Sequence, residues 1–272
     1  HVGAEVHRGK PLLSAELPET GERFEGILPP AAPGPAFALR KRAVSIIGLD
    51  RYVADGILTT GQAEFLRRAV RERQNILIAG ATSSGKTTLA NALLAEIAAT
   101  GDRVLVLEDT IELQCAARDH VPLRTRAGVV SMTELVRATM RLRPDRVIVG
   151  EVRGGEALDL VKVWGTGHPG GIATIHAGSA LGALLRLEQL ILEVAVNPPR
   201  ALIAEAVNVV IHIAGRGRKR RVESIARVVG FDGTGYRLAD ALETPFPELM
   251  PVPLAADAAA PSSSLDLPGE LP

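Results

Sequence analysis

Eight residues, Gly80-Ala-Thr-Ser-Ser-Gly-Lys-Thr87, constrain this chain more tightly than any other stretch. Two glycines bracket four small residues and a Lys-Thr pair closes the run, the spacing of a phosphate-binding loop. The flanks supply the context that the pattern needs. Asn75-Ile-Leu-Ile-Ala79 is a short apolar run of buried-strand type. In residues 88–99, Leu89, Leu93 and Ile97 recur at helical spacing with alanines between them. Strand, loop and helix in that order gather backbone N–H groups and the positive end of a helix dipole around one anion. Gly80, Ala81, Thr82, Ser83, Ser84, Gly85, Lys86, Thr87 and Thr88 are therefore the candidate nucleotide-binding residues. Lys86 is placed to reach the β- and γ-phosphates, and the Thr87 hydroxyl to hold Mg²⁺. A glycine-rich turn that binds nothing is the bland alternative, and both flanks argue against it.

From Asn75 onward strand and helix patterns alternate, which predicts an α/β fold with a mostly parallel sheet covered on both faces. Val104–Leu107 is a buried-strand run ending in Glu108-Asp109. Ser131-Met-Thr-Glu134 is a capping box that opens a helix to about Leu142, stopped by Pro144. Arg146–Val149 is the next strand, then a helix over 155–164 and a strand over 171–175 ending in His176. Helices over about 179–195 and 199–206, a strand over 207–213 and a hairpin-like pair over 222–237 complete the pattern. Upstream, Thr60 is expected to cap a helix through Gln74, with Phe65, Leu66, Ala69 and Val70 facing inward. Residues 1–42 read as the remainder of a small α+β N-terminal domain, with strands Arg23–Ile27 and Ala36–Arg40 around a proline-rich loop at 29–35. The expected division is thus a partial N-terminal domain over 1–42, a linker over 43–59, a P-loop domain over 60–240 and a disordered tail over 241–272. Because the first residue is His1, the chain is expected to begin partway into a longer protein.

Composition removes other classes. With 31 basic and 31 acidic residues, no global charge draws the chain to nucleic acid or an anionic membrane surface. Cys115 stands alone, which excludes an intrachain disulfide and suits a reducing compartment. No apolar run approaches the ~18 residues of a membrane-spanning helix, and no basic-then-apolar leader is visible.

Three successive strands end in polar or ionisable groups: Glu108-Asp109, Glu151 and His176. In open α/β sheets ligands bind outside the carboxyl ends of the strands, the edge that carries the phosphate loop. Glu151 is the best candidate to activate or position an attacking water. In many P-loop proteins an aspartate precedes such a glutamate and holds Mg²⁺; here that position is Gly150. The missing charge is then expected from Glu151 or from the Glu108-Asp109 pair, with Asp109 and Glu112 close enough to bracket one ion or water if the segment turns. His176 is a candidate for sensing the γ-phosphate, while His168 and His212 read as structural.

Phosphoryl transfer also needs a cation beside the γ-phosphate, often an arginine from a neighbouring subunit. Arg137 and Arg141, four apart on one helix face, with Arg143 nearby, Arg124 between two candidate strands, and Arg23 and Arg40 near the start are the candidates. The basic run Arg216–Arg221 holds a glycine and no aromatic residue, so it reads as a solvated turn rather than a nucleic-acid patch. Eight aromatic residues in all also disfavour a base-stacking platform.

Together these segments resemble the traffic ATPases of bacterial type IV secretion systems, most closely the TrbB-type conjugal transfer ATPases. The resemblance runs from about residue 10 to about 230. It rests on the phosphate loop with Leu-Ala-Asn-Ala-Leu-Leu after it, the acidic box Leu107–Leu113, the segment Leu142–Arg153 and the box Gly171–Gly178 around His176. Gly150 in place of the usual aspartate is how the Mg²⁺-binding segment looks in this family. The resemblance implies a RecA-like P-loop domain, a homohexameric ring, and ATP with Mg²⁺ held between the N- and C-terminal domains. It implies Glu151 as catalytic glutamate, Glu108 and Asp109 in the acidic box, His176 as the box histidine, and Arg40 and Arg124 at arginine positions that reach the nucleotide. Its implied setting is cytoplasmic, peripheral to the inner membrane, among secretion or conjugation components, with no direct sequence-specific contact to nucleic acid. The family's N-terminal domain is expected to extend well upstream of His1.

Three other readings stay open at this stage. A pilus assembly or type II secretion motor shares these boxes. A metabolic P-loop kinase needs an acceptor pocket and a lid, for which no segment looks built. A nucleotide-gated scaffold with negligible turnover has no need of a carboxylate at position 151.

Overall fold

The computed structural model describes residues 5–18, 21–40 and 46–243. Strands Leu12–Glu16 (β1), Arg23–Ile27 (β2) and Ala36–Arg40 (β3) form an antiparallel sheet in sequence order. It buries little: within β2 only Gly26 is fully covered and all of β3 is exposed, with Phe37 stacked on Phe24 yet 75% accessible.

Helices Leu49–Ala54 (α1) and Thr60–Arg71 (α2) come next. The segment expected to be a linker therefore contains a helix, and Leu49 and Tyr52 of α1 lie in the main core with Leu58. Thr59, not Thr60, caps α2. Its hydroxyl accepts from the Gln62 backbone N–H, and the Gln62 side chain accepts from the Thr59 N–H, a reciprocal box that satisfies two otherwise orphaned donors. Phe65, Leu66, Ala69 and Val70 are buried as the spacing predicts.

The second sheet is built from Ile76–Ala79 (β4), Val104–Glu108 (β5), His120–Arg124 (β6), Arg146–Val149 (β7), Ile172–Ile175 (β8), Val209–Ala214 (β9), Arg221–Phe231 (β10) and Tyr236–Asp240 (β11). Its order is β11-β10-β9-β4-β8-β7-β5-β6; all pairs from β9 to β6 are parallel and the last two strands are antiparallel. Helices Lys86–Ile97 (α3), Met132–Thr139 (α4), Glu156–Gly165 (α5), Ala180–Ile191 (α6) and Arg200–Ala206 (α7) connect the strands.

Because side chains alternate along a strand, each central strand feeds two cores. Ile76 and Ile78 join Val104, Val106, Ile148 and Ile211 beneath α1, α2 and α3. Leu77 and Ala79 join Leu105, Leu107, Val147 and Val149 beneath α4, α5, α6 and α7. Burying a Leu, Ile or Val side chain contributes about 1.5–3 kcal/mol, so this double layer fixes the sheet that presents the site. Strand β6, at the sheet edge, is not evident from the sequence, because Pro122 interrupts it and every second residue is exposed. The expected tail, from residue 244 on, lies outside the described residues. Among the described residues no helix is long and apolar enough to cross a membrane.

At the opposite edge from the phosphate loop, Arg146 is 1% and Asp102 6% exposed. Arg146 Nε donates to Asp102 Oδ2 at 2.6 Å, and its terminal nitrogens donate to the Val70 and Gly170 carbonyls. Burial raises the Asp102 pKa, but hydrogen bonds from Arg146 and Thr100 and the charges of Arg146 and Arg73 outweigh it, leaving it below the ordinary value. A folded-state pKa below the unfolded one gives stability that is present above the unfolded value, ~3.9, and lost as pH falls through the folded value. Measured at neutral pH, Asp102→Ala should therefore lower stability by about 3 kcal/mol, since it strands a buried guanidinium. A shift in urea unfolding worth less than about 1 kcal/mol would contradict that account.

Candidate functional site

The loops following β4, β5, β7 and β8 all emerge at the carboxyl edge of the parallel sheet. They enclose a cleft of about 400 Å³, the size of a small-ligand site.

Its floor is the phosphate loop. Gly80 has no room for a side chain: a Cβ there would stand 2.4 Å from the Ile213 carbonyl oxygen and from Ser84 Oγ. Gly85 caps α3 at φ +103°, and Ser83 adopts φ +65°, so left-handed residues alternate with ordinary ones and turn successive N–H groups toward one side. Ala81, Thr82, Ser83, Gly85, Lys86, Thr87 and Thr88 line the cleft, while Ser84 is buried beneath the loop. Lys86 is 7% exposed, and its Nζ donates to the carbonyls of Gly80 at 3.0 Å and Ala81 at 3.2 Å. Burial lowers its pKa, with the charge of Glu151 opposing.

Above the loop stands Glu151. Its Oε1 lies 3.9 Å from Lys86 Nζ and 2.7 Å from His176 Nε2, and its Oε2 accepts from the Arg153 guanidinium. Burial, with Lys86 as a second cause, lowers the His176 pKa, so the ring is neutral at pH 7. Its Nε2 hydrogen then donates to Glu151, which makes the 3.5 Å approach of Lys86 to the same nitrogen a contact rather than a hydrogen bond.

Glu108, 6% exposed at the end of β5, turns the acidic segment. Its Oε1 accepts from the backbone N–H groups of Glu112 at 2.9 Å and Leu113 at 2.8 Å. The same side chain accounts for Gly150, because a Cβ at that position would stand 3.0 Å from Glu108 Cγ. A side chain at 150 would press against the glutamate arm. Asp109 and Glu112 do not converge on one point: Asp109 Oδ1 accepts from Thr125 Oγ1, whereas Glu112 pairs with Arg40 at 3.0 Å and Arg23 at 3.5 Å. Those two arginines come from the first sheet and line the cleft.

Arg124 is held elsewhere. Its guanidinium bonds Glu16 of β1 and the Asp109 carbonyl, tying the two sheets together, and it is not among the residues lining this cleft. Arg137 pairs with Asp159 of α5, also away from the cleft. His168 bonds the Pro144 carbonyl, and His212 pairs with Glu223 of β10. The basic run at 216–221 is a turn, as its composition predicts, yet Arg216 and Arg220 reach the phosphate loop, donating to the Thr82 and Ser83 carbonyls at 3.4 and 3.5 Å. The readable signal was the strand pattern on both sides, since an antiparallel partner to β9 returns this turn to the carboxyl edge.

Among the described residues no group of three or more His, Cys, Asp and Glu is arranged to hold a metal. Mg²⁺ needs no such group, because it keeps several waters and takes one or two protein oxygens plus phosphate oxygens. Thr87, Glu108 and Glu151 present oxygens of that kind in one cleft, so the donor set fits.

The Type II/IV secretion system protein family matches residues 22–224. The conjugal transfer protein TrbB of Rhizobium radiobacter is 50% identical over 236 residues, covering 86% of this chain and 73% of that relative. The type IV secretion system protein PtlH of Bordetella pertussis is 38% identical, covering 79% of this chain and 74% of its own. Among solved structures, the VirB11 ATPase of the Brucella suis type IV secretion system, in complex with sulphate, superposes with a TM-score of 0.55 at 31% identity. That match covers 82% of this chain and 78% of the other.

Proposed function

The chain belongs to the Type II/IV secretion system protein family, and from that premise we propose that it is a homohexameric motor hydrolysing ATP to ADP and phosphate to power a type IV secretion or conjugative DNA-transfer machine. The observation that carries the reading is the placement of Glu151 above the phosphate loop, within 4 Å of the Lys86 ammonium. A site that only binds nucleotide has no use for a carboxylate there.

The loop N–H groups take the phosphates, and Lys86 exchanges the Gly80 and Ala81 carbonyls for the β- and γ-phosphate oxygens. Glu151 accepts the proton of the attacking water, and His176 orients it through the Nε2 hydrogen bond. Thr87, Glu108 and Glu151 would hold Mg²⁺, which when bound would supply positive charge against the negative charge developing on the phosphate oxygens. Arg23 and Arg40, paired with Glu112, bring the first sheet to the cleft, where a nucleotide competes for them. This coupling of sheet position to phosphate occupancy is how hydrolysis becomes movement. The motor is expected to work on the cytoplasmic face of the inner membrane, against other components of the machine, without reading nucleic-acid sequence.

Turnover per chain, measured against protein concentration with light scattering in parallel, tests the ring. A rate that climbs as hexamers form is the expected result. A constant rate from a monomer would overturn the assembly part of the proposal.

A further inference from the structure

We propose that Arg220 is a nucleotide-binding residue acting within its own chain, and that it takes the α,β-diphosphate part of the ligand. The inference rests on the nucleotide-site reading above and goes beyond it by assigning the flank of the cleft that the loop motif and the acidic groups leave unexplained.

Strand order divides the cleft. Strand β4, which feeds the phosphate loop, has β8, β7 and β5 on one side, and these bring His176, Glu151 and Glu108. On its other side lie β9 and β10, and the turn between them brings Arg216 and Arg220 to the same edge. The carboxylate flank, with Lys86 facing it, marks the γ-phosphate end. A polyphosphate laid along the loop then has its α and β groups toward the β9–β10 turn.

That turn is tightly built. Gly215 at φ +80° leaves no room for a Cβ, which would stand 2.1 Å from the Lys219 carbonyl oxygen. Residues 217–219 form one 3₁₀ turn, and the Val222 N–H donates to the Ile57 carbonyl at 2.9 Å. Arg220 is thereby aimed at the N-terminus of α3. A Cβ on Gly85 would stand 2.7 Å from its Nε, so Gly85 answers to the arginine as well as to its own backbone.

The charge of Arg220 is also uncommitted. Of the four arginines lining the cleft, Arg23 and Arg40 pair with Glu112, and Arg153 pairs with Glu151 and Asp109. Arg220 has no carboxylate partner among the described residues. Its buried Nε has no hydrogen-bond partner there either, and its terminal nitrogen has the 3.5 Å contact to Ser83. A planar cation with spare donors, held beside backbone N–H groups that point at phosphate, suits a diphosphate.

The test is titration calorimetry of Mg-ADP and Mg-ATP into the wild-type chain, Arg220→Gln and Arg220→Lys. Loss of the guanidinium charge in Arg220→Gln should raise both Kd values about tenfold and together, because both ligands carry the diphosphate. Arg220→Lys, which keeps a point charge, should recover part of the loss. An ADP Kd within about twofold of wild type in Arg220→Gln overturns the proposal. So does a loss confined to ATP, which would put Arg220 at the γ end. If Arg220→Gln loses its far-UV circular dichroism, Arg220→Lys carries the test: the folded lysine variant should bind ADP more weakly than wild type, and an unchanged Kd overturns the proposal. A wild-type chain that binds neither nucleotide sinks the site reading itself, an outcome separable from the others.

Discussion

Lys86→Ala is expected to abolish measurable ATP hydrolysis and to weaken ATP binding about a hundredfold. The Lys86 side chain is already engaged by the loop. Its ammonium is 7% exposed and bonds two backbone carbonyls, and burial lowers its pKa. A buried cation with neutral acceptors, and its nearest carboxylate 3.9 Å away, is held at a cost to folding. The phosphates offset that cost when they arrive. Each charge-assisted bond from Lys86 to phosphate is worth about 1.5–3 kcal/mol, and the γ-phosphate bond strengthens as the transition state forms. Truncation should therefore cost binding and, more heavily, turnover, while the nucleotide-free melting temperature stays within about 3 °C of wild type. ATP affinity unchanged in the variant would refute the phosphate-loop assignment. A collapse of the nucleotide-free fold would show instead that the two carbonyl bonds hold the loop in shape.

The phosphate loop and its sheet were legible because their constraints are local. Ile76–Ala79 is apolar throughout since both faces of β4 are covered, Gly80 has no room for a side chain, and Gly85 holds φ +103°. The capping box at Ser131 was equally readable, since its two partners lie three residues apart. Apart from one helix cap, what was hidden depended on neighbours distant in sequence. Helix α1 is six residues long with two fully buried, too short for a periodic signal, and it exists because the core beneath α2 and α3 accepts Leu49 and Tyr52. Choosing Thr59 over Thr60 as the cap of α2 required noticing Gln62, whose side chain fits a box with Thr59 alone. Gly150 departs from the generic P-loop pattern, and its structural neighbour is Glu108, forty-two residues earlier, whose Cγ would stand 3.0 Å from a Cβ at 150. The run Arg216–Arg221 looked solvated by composition, and only the pairing of β10 with β9 returned two of its arginines to the loop. Spacing thus located the loop and the acidic groups that line one cleft, whereas sheet order was needed to say which residues share a flank.

Glu151→Gln is expected to lower turnover by about 10²–10⁴-fold while ATP affinity stays within about threefold. Glutamine keeps the length but only one acceptor oxygen, so it retains the hydrogen bond from His176 Nε2 or the one from Arg153, and its NH2 replaces the other acceptor. What disappears is the capacity to take a proton from water and the negative charge facing Lys86. Removing that charge leaves Lys86 more available to phosphate, so binding should not suffer. The surroundings of Glu151 also bear on how it would act. With Arg153 on one oxygen and His176 on the other, both oxygens are committed, and the carboxylate must release one of them to meet a water. A γ-phosphate drawing Lys86 toward itself, and competing for Arg153, loosens that hold at the moment a base is needed. Single-turnover hydrolysis measured beside ATP binding separates the two roles. Equal turnover in wild type and variant would remove Glu151 from the chemistry, and a parallel loss of binding would reassign it to holding the ligand.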